Sequence, residues 1–178
     1  TGKTAAIIGF GNVGQEVAKR LKVFEVHTIG VGKRQRDSSL LDEYYTISDI
    51  DNVFKKSDII ILTLPLTEET RYLIDKYMIS FMKRNAVLIN VSRGGVIDEA
   101  ALIKALDKGM FLGVALDVFE EEPLLGDSSL WGFDRVLITP HNSFVSDKVN
   151  ERLFELILGN VSYCFKKFSN LGGHDNKE

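Results

Sequence analysis

Three short stretches carry side chains suited to chemistry: Asn90-Val91-Ser92-Arg93-Gly94-Gly95, Glu122-Pro123 and Thr139-Pro140-His141. An arginine can clamp a carboxylate through paired hydrogen bonds and polarise a neighbouring carbonyl. An imidazole can hand a proton to an oxygen that is becoming an alkoxide, and a carboxylate can pair with the protonated ring. Arg93, Glu122 and His141 together are what reduction of a 2-keto acid requires. Each follows an apolar run that reads as a strand, and open α/β sheets bind ligands at the carboxyl ends of their strands. Pro123 confines Glu122 to extended backbone, whereas Glu120 and Glu121 read as solvated. His141 has no helical period to bury it. His27 alternates within a strand and His174 lies near the end of the sequence, so neither competes as proton donor. Other roles stay open here: Arg93 as a helix cap or partner of Asp98, and Asp117 as a turn cap or an acceptor for a carboxamide.

A second cluster lies near the start. Gly9-Phe10-Gly11-Asn12-Val13-Gly14 follows a strand-like run and opens a helical one, the context a dinucleotide fingerprint demands. Gly9 permits a tight turn, Gly11 lets backbone approach a pyrophosphate, and Gly14 lets helix and strand pack closely. The helix N-terminus then attracts the phosphate charge. An NAD-specific domain ends its second strand in Asp or Glu, which holds the adenosine ribose. Here that strand ends Val31-Gly32, and Lys33-Arg34-Gln35-Arg36 follows. Lys33, Arg34 and Arg36 suit a 2′-phosphate. The sequence therefore predicts NADP(H) over NAD(H), with NAD(H) the alternative if Asp37 serves the ribose.

Short apolar runs alternating with helical patterns must position these pieces, the signature of βαβ units. Strands are expected at 5–8, 26–31, 44–47, 58–62, 86–90, 113–117 and 136–139, and helices at 13–23, 50–56, 98–107 and 146–168. Thr67-Glu68-Glu69-Thr70 offers a helix cap with acids in the first turn. The expectation is an α/β domain with a doubly wound parallel sheet of six or seven strands, three-layered as αβα. It would cover residues 1–168, with 169–178 a mobile tail.

The 178 residues, 44% apolar and of net charge −3, are one ordinary domain. A chain this long buries roughly 70% of its unfolded surface and needs no staples. The single Cys164 excludes an intrachain disulfide framework and fits a reducing cytoplasm. No apolar run approaches the ~18 residues of a membrane span, the charge argues against nucleic acid, and no cluster reads as a metal site.

Gly-Phe-Gly-Asn-Val-Gly, Leu64-Pro65-Leu66-Thr67, residues 90–99, Ala115-Leu116-Asp117-Val118-Phe119 with Glu122-Pro123, and Thr139-Pro140-His141 together resemble the D-isomer-specific 2-hydroxyacid dehydrogenases. The resemblance spans residues 2 to about 168. It implies that Arg93 binds the substrate carboxylate and carbonyl, that His141 is the general acid, and that Glu122 pairs with it. It further implies that Asp117 orients the nicotinamide carboxamide and Ser92 lines the nicotinamide pocket. Val13 and its neighbours would meet the pyrophosphate, while Leu64 and Pro65 flank the adenosine. A small 2-keto or 2-hydroxy acid would be the substrate, and a homodimer the assembly. The family's N-terminal substrate domain has no counterpart in this sequence, so the resemblance implies a domain that binds cofactor but turns over poorly. A dinucleotide-sensing, corepressor-like regulator of the same fold is the alternative.

Overall fold

The apolar runs become strands because they are short, rich in Ile and Val, and bounded by Gly, Pro or polar residues. The computed structural model describes residues 2–34 and 38–171. The chain runs β1 (Thr4–Ile8), α1 (Asn12–Val23), β2 (His27–Gly32), β3 (Glu43–Thr46), α2 (Ile50–Lys56), β4 (Ile59–Leu62), α3 (Lys76–Phe81), β5 (Ala86–Asn90), α4 (Glu99–Asp107), β6 (Phe111–Leu116), β7 (Val136–Ile138) and α5 (Val149–Leu171). Every strand pairing is parallel, in the order β3-β2-β1-β4-β5-β6-β7. This is the expected doubly wound sheet, with its switch point between β1 and β4.

Strands covered on both faces need no alternation, and β1 shows it: Ala5, Ala6, Ile7 and Ile8 are all fully buried. The larger core gathers Ile8, Ile29, Phe54, Leu62, Leu88, Leu102 and Phe111. A smaller one, Ile7, Phe10 and Ala18, lies under α1 with Leu21, Leu41 and Tyr44 packed against it. Truncating the fully buried Phe54 or Phe111 to alanine would cost about 3–5 kcal/mol.

Two local expectations change. Thr67 caps no helix. The Thr70 hydroxyl instead accepts from the Thr67 amide at 2.7 Å and donates to the Pro65 carbonyl at 2.8 Å, closing a turn. Ile74 then bridges Ile97 in extended form, which a helix through 74 would forbid. The helix starts later, where Asp75 accepts from the amides of Tyr77 and Met78. At the far end, α5 continues through Leu171, because nothing from Ser169 to Leu171 breaks a helix before Gly172-Gly173. The remainder of the expected tail, 172–178, lies outside the described residues.

Compact packing divides the chain into Thr1–Ser143, which holds the sheet, and Phe144–Glu178, which holds α5. The 1–168 reading of the domain spans both units. Among the described residues no helix is long and apolar enough to cross a membrane, and no group of three or more His, Cys, Asp or Glu is placed to hold a metal.

Candidate active site

The loops leaving β5, β6 and β7 bring the three chemistry-bearing side chains to one cavity. Its volume is about 360 Å³ and its walls include Arg93, Glu122, His141, Arg71 and Tyr72. His141 Nδ1 lies 2.7 Å from Glu122 Oε2, and the other Glu122 oxygen accepts from the Phe119 amide at 3.1 Å. Glu122 is thus fixed at both oxygens. Burial pushes its carboxyl up, but bonds from His141 and Phe119 and the nearby Arg93 charge outweigh that and hold it below the usual carboxylate range. His141 sits at φ +50°, a left-handed backbone uncommon outside glycine. Such conformations cluster at functional sites, where surrounding structure enforces them.

Asp117 supplies that enforcement. It is 3% exposed. Its Oδ1 accepts from the Thr139 hydroxyl at 2.5 Å and the Asn142 amide at 3.0 Å, and its Oδ2 from the Ser143 amide at 3.0 Å. Burial would raise its pKa, yet these donors lower it to about 2. Both oxygens therefore hold the segment that carries His141.

The arginine loop is built by Asn90, a residue the sequence reading passed over. Its Oδ1 accepts from the Ser92 amide and hydroxyl, at 3.0 and 2.8 Å, and its Nδ2 donates to the Arg93 carbonyl at 3.1 Å. Asn at a strand end followed by Ser is an Asx-turn signal that would have found it. Ser92 is buried and its hydroxyl serves this turn. Arg93 stands at the N-cap position of a short 3-10 turn, Gly94–Val96, without a side-chain cap bond, and Asp98 caps α4 by accepting from the Ala101 amide. Arg93 donates to the Ser92 carbonyl at 2.6 Å. A Cβ on Gly94 would collide with the Phe119 carbonyl, so the bare glycine lets the two backbones meet. Glu120, read as solvated, is exposed yet accepts from the Glu99 amide and the Tyr72 hydroxyl. Arg71 and Tyr72 were missed as cavity residues, since only the fold carries their turn to the Arg93 loop.

The glycine loop fits a dinucleotide. Gly9 has φ +100°, and a Cβ there would stand 2.6 Å from the Leu64 backbone. A Cβ on Gly14 would stand 2.5 Å from the Gly9 carbonyl, so α1 meets β1 as closely as the fingerprint requires. A Cβ on Gly11 would meet nothing within 4 Å, leaving open space beside the start of α1. No side chain caps that helix and no acid lies in its first turn, so its first amides and dipole suit a phosphate. Asn12 and Val13 are exposed there, Leu64 is buried against Gly9, and Pro65 is exposed. Lys33 and Arg34 are exposed beyond β2, with Lys33 paired to Glu69. Arg36, Asp37 and His174 lie outside the described residues.

Comparison with known proteins decides the family. The D-isomer specific 2-hydroxyacid dehydrogenase NAD binding domain matches residues 1–143. The chain belongs to this family. Glyoxylate reductase from Pyrococcus furiosus is 40% identical over 169 residues, 93% of this chain and 49% of that protein. A probable 2-hydroxyacid dehydrogenase from Rhizobium etli, solved with NADP, HEPES and L(+)-tartaric acid, superposes with a TM-score of 0.85 at 31% identity, over 93% of this chain and 53% of that one. The NADPH-dependent glyoxylate/hydroxypyruvate reductase from Sinorhizobium meliloti, with NADP and sulfate, gives 0.81 at 30% identity, over 94% and 52%. The chain spans about half the length of the curated glyoxylate reductases it matches. The matched 143 residues coincide with the sheet-bearing unit of this 2-hydroxyacid dehydrogenase domain.

Proposed function

We propose that this domain is the cofactor-side half of an NADP(H)-dependent reductase of small 2-keto acids such as glyoxylate or hydroxypyruvate. The observation that carries the reading is the His141–Glu122 pair, at 2.7 Å, in the wall of the cavity that Arg93 also lines. Gly9, Gly11, Asn12, Val13 and Gly14 would hold the pyrophosphate, Leu64 and Pro65 would flank the adenosine, and Lys33 with Arg34 would face its ribose. Bound there, the dinucleotide supplies the hydride. Arg93 grips the substrate carboxylate and polarises the adjacent carbonyl, stabilising charge as it grows on oxygen. With Nδ1 committed to Glu122, His141 delivers a proton from Nε2 to that oxygen, so the carbonyl gains hydride on carbon and proton on oxygen and leaves as the alcohol. His141 ends neutral and takes its next proton from solvent. Asp117 is a positioning residue for His141. Relatives solved with NADP, and relatives that are glyoxylate or glyoxylate/hydroxypyruvate reductases, support both the cofactor and the substrate class. Dimerisation through this domain belongs to the same reading and is checked by sedimentation.

Titration of the chain with NADPH and NADH tests the cofactor, with NADPH expected to bind more tightly. NADPH oxidation with glyoxylate, measured in the gene's full reading frame, tests the chemistry. His141→Gln should cut turnover about 10²- to 10⁴-fold, the worth of a general acid, while leaving NADPH affinity in place. Equal loss of both would show that His141 is structural.

A further inference from the structure

Gly32 ends β2 where an NAD-specific domain carries its ribose-binding carboxylate, and another side chain has taken the space. A Cβ built on Gly32 would collide with the Tyr44 hydroxyl, and one on Gly30 would come within 3.0 Å of the Tyr44 ring. Tyr44 of β3 stands opposite Gly30 of β2, two residues before the pair Gly32 and Thr46. Gly30 and Gly32 share one face of the strand. With both bare, the phenol lies along β2 and its hydroxyl reaches the strand's end. The ring packs on the Ile7, Phe10 and Ala18 cluster and meets Phe10 of the glycine loop edge to face, centroids 6.2 Å apart. Packing thus holds the hydroxyl at the end of β2, beside Gly32, which Lys33 follows.

We propose that the Tyr44 hydroxyl reads the 2′ position of the adenosine ribose, donating a hydrogen bond to a 2′-phosphate that Lys33 and Arg34 flank. This rests on the NADP(H) reading above. A phenol donates as well as accepts, whereas an ionised carboxylate at the same place only accepts and repels a phosphate. The same packing makes an acidic residue at 32 insufficient to favour NADH, because Tyr44 fills the room its side chain would need.

Calorimetric titration of the chain with NADPH and NADH tests this, using Tyr44→Phe, Gly32→Asp, and Gly32→Asp combined with Tyr44→Val. Tyr44→Phe keeps the ring packing and should weaken NADPH about tenfold, a hydrogen bond to a charged group, while NADH stays within about twofold. Gly32→Asp alone should weaken both cofactors, and adding Tyr44→Val should turn the preference toward NADH. A wild type that binds NADH more tightly overturns the cofactor reading and this inference with it. A wild type that prefers NADPH, with Tyr44→Phe moving both cofactors equally or neither, leaves that reading standing and overturns the role of Tyr44. So does a Gly32→Asp variant that inverts preference by itself. Should Gly32→Asp fail to fold by circular dichroism, the Tyr44→Phe arm decides alone.

Discussion

Asp117→Asn isolates the device that holds His141. The asparagine keeps one acceptor oxygen but presents an amide group to either the Thr139 hydroxyl and Asn142 amide or the Ser143 amide, all of which donate. A buried donor loses its partner, at about 1–3 kcal/mol. Titration gives an independent figure. A carboxyl that moves from 3.8 to about 2 on folding contributes about 2 kcal/mol when ionised. Because the folded value is the lower one, that stability is fully present above the unfolded pKa and is lost as pH falls toward 2. Roughly half of it remains at pH 3. Urea denaturation of wild type and variant should therefore differ by about 2 kcal/mol at pH 7, with the gap halving by about pH 3. In thermal melts the gap is about 4–8 °C at neutral pH. Turnover should fall with NADPH affinity intact, since the glycine loop lies across the sheet. A gap that stays constant from pH 7 to pH 3, or none at all, would refute the assignment of those hydrogen bonds to the ionised carboxylate.

Gly94→Ala should cost at least the ~1–3 kcal/mol of an overpacked site, because its Cβ meets the Phe119 carbonyl. Turnover should drop further than stability explains, and chemical denaturation beside steady-state rates would show the split. Arg93→Lys retains charge but loses the bidentate fork, so KM for the keto acid should rise tenfold or more by the order ~1.4 kcal/mol per decade, with NADPH affinity unmoved. Glu122→Gln keeps an oxygen for the Phe119 amide but removes the charge facing His141. Its kcat should fall while thermal stability changes little, and a loss confined to stability would make Glu122 a mere turn residue.

The central strands were legible because burial on both faces leaves continuous apolar runs such as Ile59–Leu62, which no surface element would carry. That Arg93, Glu122 and His141 would share one cavity was legible because Arg, Glu before Pro, and His after Pro stand just beyond such runs. The supports were not. Asp117 meets Thr139 and Ser143 across more than twenty residues of chain, and local pattern carries no signal at that separation. The partner of Gly94 was hidden for a related reason: a glycine announces close approach but not what approaches, here the Phe119 carbonyl. Thr67 failed as a cap because Thr70, within the same four residues, closed a turn with its hydroxyl first.

Sheet order explains how one unit brings both groups of candidate residues to the same edge. All seven strands are parallel, so every loop that follows a strand emerges on the same edge. The glycine loop follows β1, Lys33 follows β2 and Leu64 follows β4, whereas Arg93, Glu122 and His141 follow β5, β6 and β7. Adjacent strands lie about 4.8 Å apart, so Arg93 and His141 leave the sheet about 10 Å from each other. Charge cannot close that distance, because Glu122 already pairs with His141 and sits beyond the β6 exit. The loop after β5 must cross the chain leaving β6, and it crosses at Phe119, where Gly94 has no side chain to hold the two backbones apart. The proposed chemistry of the shared cavity needs the arginine, but the glycine beside it determines whether the two loops can meet there.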